Sequence, residues 1–345
     1  MKDWATSRRT GKKLILVSNR GPYTVKKTSG TVRVERAVGG LVAALEPVAR
    51  SLPTVWITWA GSVVGETGRE LLETDDFRWE RVHLTEEEVD NYYSGFANAV
   101  IWPLCHYFVE KCRFERSYWD AYQWVNRKFA LQAHKHTTQN SLIWVHDYHL
   151  ALVPHYLRSY GATNIGFFWH IPFPPPDVFD ILPWSRELLR GLLDSDVIGF
   201  HVYQYVANFL RCAETLLNLT VDYDRGTIQY QGRTVQVVAI PIGVDYAAYG
   251  TLGQNRDVLK AAAEIRAKVG TETLALAVDR LDYSKGVLER LDAVERFWEK
   301  HEAYRGRFSL IQIAAPTRSD IPAYRNLRHQ GEKAVGRING LFGRE

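Results

Sequence analysis

Four sets of residues in this chain have types and spacings that could do chemistry. The first is His146-Asp147-Tyr148-His149, with His170 further along. His146, Asp147 and His149 follow the apolar run 142–145, and His170 ends the run 165–169. Two histidines three apart could ligate a metal from one helix face. No cysteine or third histidine stands at a supporting spacing, so no metal site is expected. Asp147 has two readings: a cap for the helix that follows, or an acceptor for the hydroxyl groups of a sugar. His170 opens a loop stiffened by Pro172, Pro174, Pro175 and Pro176, which would hold the imidazole with little freedom. A satisfied buried histidine is the commoner fate of such a residue, but a rigid loop at a strand's end tilts the reading towards function.

The second set is RLDYSKG, Arg280 to Gly286, after one apolar run and before a helical one. Arg280 and Lys285 could converge on a diphosphate, Arg as a fork and Lys as a point charge. The helix N-terminus would add to the same field. Spacing alone leaves that reading level with a pair of solvated cations balanced by Asp279 and Asp282. The third set is Gly39-Gly40, opening a helical stretch whose free N–H groups suit an anion; many such pairs are only turns. The fourth is scattered. Arg20 and Arg318 are isolated cations at strand ends. Tyr93 and Trp102 lie in an aromatic segment that could form a sugar platform, although core packing is the stronger prior for any single aromatic.

Several chemistries lack their signatures. There is no G-x-x-x-x-G-K-[ST] for a P-loop and no G-x-G-x-x-G after the first strand for a dinucleotide oxidoreductase. No G-x-S-x-G elbow of an α/β-hydrolase occurs.

The elements that must position these residues alternate between strand and helix. Apolar runs predict strands at 14–18, 55–60, 142–145, 165–169 and 196–200. Residues 24–36 read as a polar hairpin around Ser29-Gly30, and 227–240 as a second hairpin across Gln231-Gly232. Helical stretches are expected at 39–52, where Pro47 should kink or offset the chain, from the acidic run at Glu86–Glu88, within 114–137, at 187–193 and around 206–217. A boundary at about 243–250 divides the chain into domains of residues 1–245 and 246–345. The second part restarts the pattern, with strands at 274–278 and 308–314 and helices at 256–269, 287–300 and 320–336. Such alternation predicts an α/β fold with parallel sheets, doubly wound, and ligands beyond the carboxyl ends of the strands. Two strands are few for a doubly wound sheet, so the second domain reads as incomplete.

Bulk properties narrow the class. The chain has 345 residues, 46% hydrophobic and 24% charged, enough for two globular domains. The net charge of +4 comes without a Lys/Arg block, so no nucleic acid is expected as partner; an anionic small ligand would explain the same bias. Cys105, Cys112 and Cys212 are odd in number and form no CxxC pair, against a disulfide framework or zinc ribbon and in favour of a reducing compartment. The first residues lack the apolar core of a secretory signal. No apolar run approaches the ~18 residues of a membrane span. A soluble, cytoplasmic protein without a membrane partner is expected.

Taken together, SNRGP (18–22), GGL (39–41), YYSGFANAVIWP (92–103), WVHDYHL (144–150), IGFFWHIPFPPPDVF (165–179), RLDYSKG (280–286) and the stretch from PTRSD to GRING (316–340) closely resemble the trehalose-6-phosphate synthases, retaining glycosyltransferases of the GT-B fold. They run in family order across nearly the whole chain. The resemblance implies two Rossmann-like domains facing a central cleft, the N-terminal one binding acceptor and the C-terminal one the nucleotide sugar. It implies that Arg20, Tyr93, Trp102 and Arg318 form the glucose 6-phosphate site, that Gly40 lets the donor approach the backbone, and that Asp147 and His170 surround the transferred glucose. Arg280 and Lys285 would neutralise the donor diphosphate, so no metal or other cofactor is implied. The leaving phosphate itself would take the acceptor's proton, which fits the lack of an obvious carboxylate pair.

The donor base is left open among uridine, guanosine and adenosine. So is oligomeric state, a homo-oligomer being one option. Family chains continue past the position matching Glu345 with an Asp-Gly-Met-Asn-Leu-like loop and a glutamate that contact the donor, which implies weak donor binding and slow turnover for these 345 residues. The alternatives are a synthase for another phosphorylated acceptor such as glycerol 3-phosphate, and a catalytically silent sugar-phosphate-binding protein.

Overall fold

The structure is a computed structural model that describes residues 12–28, 31–37, 39–59, 72–73, 77–318 and 321–343, with only the backbone at 24–28, 31–34, 72–73 and 322. The Ser29-Gly30 turn and parts of the polar stretch 66–90 lie outside the described residues. The chain forms two compact units, Met1–Gly243 and Val244–Glu345.

In the first unit the strands are β1 (Lys13–Ser18), β2 (Tyr23–Thr28), β3 (Thr31–Arg36), β4 (Thr54–Trp59), β5 (Leu72–Glu73), β6 (Arg78–Val82), β7 (Ser141–His146), β8 (Ile165–Phe168), β9 (Val197–Phe200), β10 (Val221–Asp222), β11 (Thr227–Tyr230) and β12 (Arg233–Ala239). The β2–β3 hairpin stands apart as a two-stranded sheet, and the rest form one ten-stranded sheet in the order β10-β11-β12-β9-β8-β7-β1-β4-β6-β5. Every pair from β6 through β4, β1, β7, β8 and β9 to β12 is parallel; the edge strands β5, β10 and β11 pair antiparallel. Strands buried on both faces read as continuous apolar runs, and Leu14 to Ser18 and Thr54 to Trp59 are all buried. Leu14, Leu16, Trp56 and Trp79 meet Val42, Leu45 and Ala49 of the Gly40–Ser51 helix in the core. That helix runs through Pro47.

The chain builds outward from β1 to β4 and β6, then returns to lay β7 on the other side of β1. The sheet order therefore reverses between β1 and β7. In open α/β sheets this is where a crevice forms for ligands, and Arg20 and Asp147 lie just beyond these two strands.

The second unit carries β13 (Thr273–Arg280) and β14 (Phe308–Ala315), paired in parallel, with helices Arg256–Val269, Val287–Lys300 and Pro322–Phe342. Leu281, Val287 and Leu327 form its buried cluster. These are the two strands expected from the sequence.

Candidate active site

The turn after β1 is pinned from beneath. Ser18 Oγ donates to Arg20 O at 2.7 Å and accepts from Trp56 Nε1 at 2.8 Å. Asn19 Oδ1 accepts from Tyr92 Oη at 2.9 Å, and Asn19 O accepts from Trp59 N at 3.1 Å. Gly21 is a close-approach glycine: a Cβ there would lie 2.6 Å from Thr58 Cγ2. These contacts leave Arg20 exposed, with its Nη2 donating to Tyr93 Oη at 2.8 Å and its Cζ 5.5 Å from the Tyr93 ring centroid.

Tyr93 comes from an element the sequence did not show. Thr85 and Glu88 form a capping box at Glu86–Glu88, and the helix widens at once into a π-helix, Val89–Ile101. π-Geometry is rare and gathers at functional sites. It turns Tyr92 fully inward to Asn19, while Tyr93 is half-buried and stacks on His149 with centroids 5.7 Å apart and planes 10° apart. Asn98, from the same helix, donates to Tyr93 O at 2.7 Å and accepts from Tyr148 Oη at 3.0 Å. Trp102 is buried, with its ring against His106 and Tyr148. It backs the site rather than paving its surface.

Asp147 sits at φ 75°, ψ 159°, a region that is essentially glycine's and costs of order 1–3 kcal/mol for other residues. Surrounding structure holds it there. From the Arg116–His134 helix, Tyr122 Oη donates to Tyr148 O at 2.6 Å and accepts from Ala151 N at 3.0 Å. Asn126 of the same helix donates to His149 O at 3.1 Å and accepts from Leu152 N at 3.0 Å. Asp147 Oδ1 accepts from Tyr148 N at 2.9 Å, and its Oδ2 lies 3.6 Å from His149 Nδ1. Burial alone would raise this carboxyl. The His149 pairing, the charge His170 takes up at low pH and the Tyr148 N–H outweigh burial and bring it down to about 2. Asp147 is thus a carboxylate in strained backbone that caps the Tyr148–Leu150 turn and stays ionised.

His170 follows β8, its N–H facing Asp147 Oδ1 at 3.4 Å. The proline loop is tied down as its composition predicts. Trp169 Nε1 donates to Pro172 O, Asn208 Nδ2 donates to Phe173 O at 2.8 Å, and the Phe173 ring is wholly buried among Trp169, Phe179, Phe200 and Phe209. Burial lowers His170 to about 4, with Asp147 opposing and His201 adding to the fall. His146 and His201, at the ends of β7 and β9, are lowered chiefly by burial too.

Gly40 opens its helix with exposed backbone, and a Cβ there would meet nothing within 4 Å. The protein's own packing therefore makes no demand for glycine at this position.

In the second unit Arg280 ends β13, exposed, and Lys285 is exposed in the turn Tyr283–Lys285. Asp282 caps that turn by accepting from Ser284 N at 3.0 Å, and Gly286 at φ 61° starts the following helix. Arg290 reaches back to Asp279 at 2.9 Å and to Lys285 O at 3.3 Å, bracing the loop. Arg318 is enclosed: its side chain is 3% exposed and pairs at 3.1 Å with Asp282, itself 0% exposed, and Tyr324 Oη joins both. The contacts with Asp282 and Tyr324 are both made through Nη1.

The structure thus gathers Arg20, Tyr93, Asp147 and His170 at the carboxyl edge of the first sheet, with Trp102 behind Tyr148. Sequence reasoning passed over Asn19, Tyr92, Asn98 and Asn126, which set the backbone, and weighed His149 as a metal ligand where it is the platform under Tyr93. Position at a strand end was the signal available for His149 and His201. Among the described residues, no group of three His, Cys, Asp or Glu is arranged to hold a metal ion, and no helix is long and apolar enough to cross a membrane.

This is an α/β fold of the GT-B glycosyltransferase type. The chain belongs to glycosyltransferase family 20, which matches residues 12–345. It is 38% identical over 343 residues to a bifunctional trehalose-6-phosphate synthase/phosphatase of Thermoproteus tenax, covering 96% of this chain and 46% of that protein. It is 37% identical over 345 residues to the UDP-forming α,α-trehalose-phosphate synthase 56 kDa subunit of Saccharomyces cerevisiae, covering 97% of this chain and 69% of that one. The crystal structure of a UDP-forming α,α-trehalose-phosphate synthase from Burkholderia xenovorans in complex with glucose-6-phosphate matches with a TM-score of 0.84 at 35% identity, over 96% of this chain and 72% of that one.

Proposed function

We propose that this chain carries the glucosyl-transfer site of a trehalose-6-phosphate synthase. It moves glucose from UDP-glucose to glucose 6-phosphate with retention, giving α,α-trehalose 6-phosphate and UDP. The observation that carries the reading is the cluster of Arg20, Tyr93, Asp147 and His170 at the point where sheet order reverses, in a member of this family. The relatives' UDP-forming names support uridine as the base.

In this reading residues 1–245 bind acceptor and 246–345 bind the nucleotide sugar. Arg20 is a fork for the 6-phosphate, its partner among the described residues being the Tyr93 phenol. Tyr93, stiffened by His149, offers an amphipathic face to the sugar ring. Arg318 is a second cation suited to a phosphate, its Nη1 held by Asp282 and Tyr324. At Gly40 an approaching donor supplies the demand for glycine that the protein's own packing does not. Asp147 accepts from hydroxyls of the transferred glucose, and neutral His170 exchanges hydrogen bonds with it. As the C1–oxygen bond breaks, its electron pair leaves on the diphosphate. Arg280 and Lys285 stabilise that growing charge more than the ground state, which lowers the barrier. The leaving phosphate accepts the proton of the acceptor's anomeric hydroxyl as the new C1–oxygen bond forms. A reducing, cytoplasmic setting suits Cys105, Cys112 and Cys212, which are all free thiols.

A coupled assay of UDP release, run separately with glucose 6-phosphate and glycerol 3-phosphate, tests the reading. Release that depends on glucose 6-phosphate supports it. Release with glycerol 3-phosphate alone reassigns the acceptor. No release with either, together with binding of glucose 6-phosphate in a calorimeter, makes the chain a silent sugar-phosphate binder.

A further inference from the structure

His146 ends β7, and His170 and His201 follow the adjacent strands β8 and β9; the site as described uses His170. His146 Nδ1 lies 3.0 Å from His170 Nε2, with ring centroids 5.3 Å apart. Two imidazole nitrogens at that distance share one proton, so one ring donates and the other accepts. Burial holds both rings in the neutral form near pH 7. The open question is which ring donates.

The surroundings of His146 decide it. The residue is 0% exposed, and its Nε2 is enclosed with no hydrogen-bond partner among the described residues. A proton on that nitrogen would be a buried donor with no acceptor, an arrangement native structures avoid. With the proton on Nδ1, His146 donates to His170 Nε2, and only a lone pair is left unmet. His170 Nε2 is then an acceptor, and its own proton must sit on Nδ1. That atom has no partner among the described residues and is not among the enclosed ones.

We propose that His146 is a positioning residue that holds His170 as its Nδ1–H tautomer, so that His170 presents a hydrogen-bond donor to an oxygen of the bound hexose. The hexose half of this rests on the function proposed above; the tautomer half does not. Free imidazole side chains favour the Nε2–H form, so His146 would reverse an intrinsic preference. A neutral donor at this place suits a sugar hydroxyl, while Asp147 beside it supplies the acceptor.

Nitrogen NMR of the histidine-labelled, unliganded chain reads the tautomer directly. The expected result is a protonated Nδ1 and a bare Nε2 on His170; the reverse assignment overturns the proposal. His146→Asn keeps an N–H donor close to where Nδ1 stood, whereas His146→Phe keeps the ring and removes the donor. His146→Phe should remove that donor's bias, lower the Nδ1–H share on His170 and weaken UDP-glucose binding about tenfold in calorimetry. His146→Asn should restore both readings. Equal tautomer and affinity in wild type and His146→Phe would also overturn the assignment. A wild-type chain with the expected tautomer and no UDP-glucose binding removes the hexose half and leaves the tautomer control standing, which separates this failure from failure of the proposed function.

Discussion

Arg20 and Arg318 both follow a strand at the carboxyl edge of a parallel sheet, one in each unit, yet their surroundings are opposite. Arg20 is exposed and bonded to a phenol; Arg318 is enclosed and paired with a fully buried carboxylate. A buried ion pair that loses one partner leaves an uncompensated charge, whereas an exposed cation is already solvated. Arg20 is thus free to serve a ligand at little cost to the fold. Arg318 already organises the Asp282 turn next to Arg280 and Lys285, through an Nη1 that bonds both Asp282 and Tyr324.

The largest effect should come from breaking the enclosed pair. Arg318→Ala should cost the protein about 3–5 kcal/mol in denaturant unfolding, because Asp282 stays buried without its partner; a cost under ~1 kcal/mol would remove the distinction between the two arginines. Gly21→Ala comes next. Its methyl group meets Thr58, and such overpacking should cost ~1–3 kcal/mol, with weaker glucose 6-phosphate binding because Arg20 is carried on the same turn. An unchanged thermal midpoint would show that the turn yields. Arg20→Ala should be within about 0.5 kcal/mol of wild type in stability, while its affinity for glucose 6-phosphate should fall at least tenfold by calorimetry, as loss of a charged hydrogen bond requires. Unfolding without loss of affinity would reverse the roles assigned to the two residues.

A pH series sharpens the same contrast between enclosed and exposed groups. His146, His170 and His201 have folded pKa values below the ordinary 6.5, so the unfolded chain binds more protons as pH falls beneath that value. Stability from their neutral forms is present above pH 6.5 and is lost as pH falls towards the His170 value of about 4. Asp147, depressed to about 2, contributes above the ordinary carboxylate range and loses that contribution only as pH falls through its own value. His155 works the other way and offsets part of this. Its pairing with Asp194 raises it, so its contribution is full below 6.5 and fades as pH rises past its folded value. Urea midpoints taken from pH 7 down to pH 4 should fall; a flat series would mean that the strand-end histidines are solvated.

Much of the scaffold was legible. The helices at 256–269 and 287–300 have the limits their periodicity suggested, and β1, β4, β7 and β8 are apolar runs within a residue or so of the expected bounds. Arg20, Asp147 and His170 were legible as polar groups where such runs stop. The π-helix was not. Its wider turn breaks the 3.6-residue spacing that marks an α-helix, so NYYSGFANAVI read as an aromatic segment without an element. Nor was the burial of Arg318, whose partner Asp282 is 36 residues away.

The sequence by itself determined the alternation of strand and helix, the polar groups at the strand ends and the family, because these signals are local or ordered along the chain. Only the tertiary structure decided which of those groups meet. His146 reaches His170 because β7 and β8 pair in parallel, with His146 opposite Phe168. Tyr93 reaches Arg20 and His149 because β7 returns to β1, bringing three distant stretches to one edge. Such pairings depend on strand register and loop closure over tens of residues, and no local pattern specifies them.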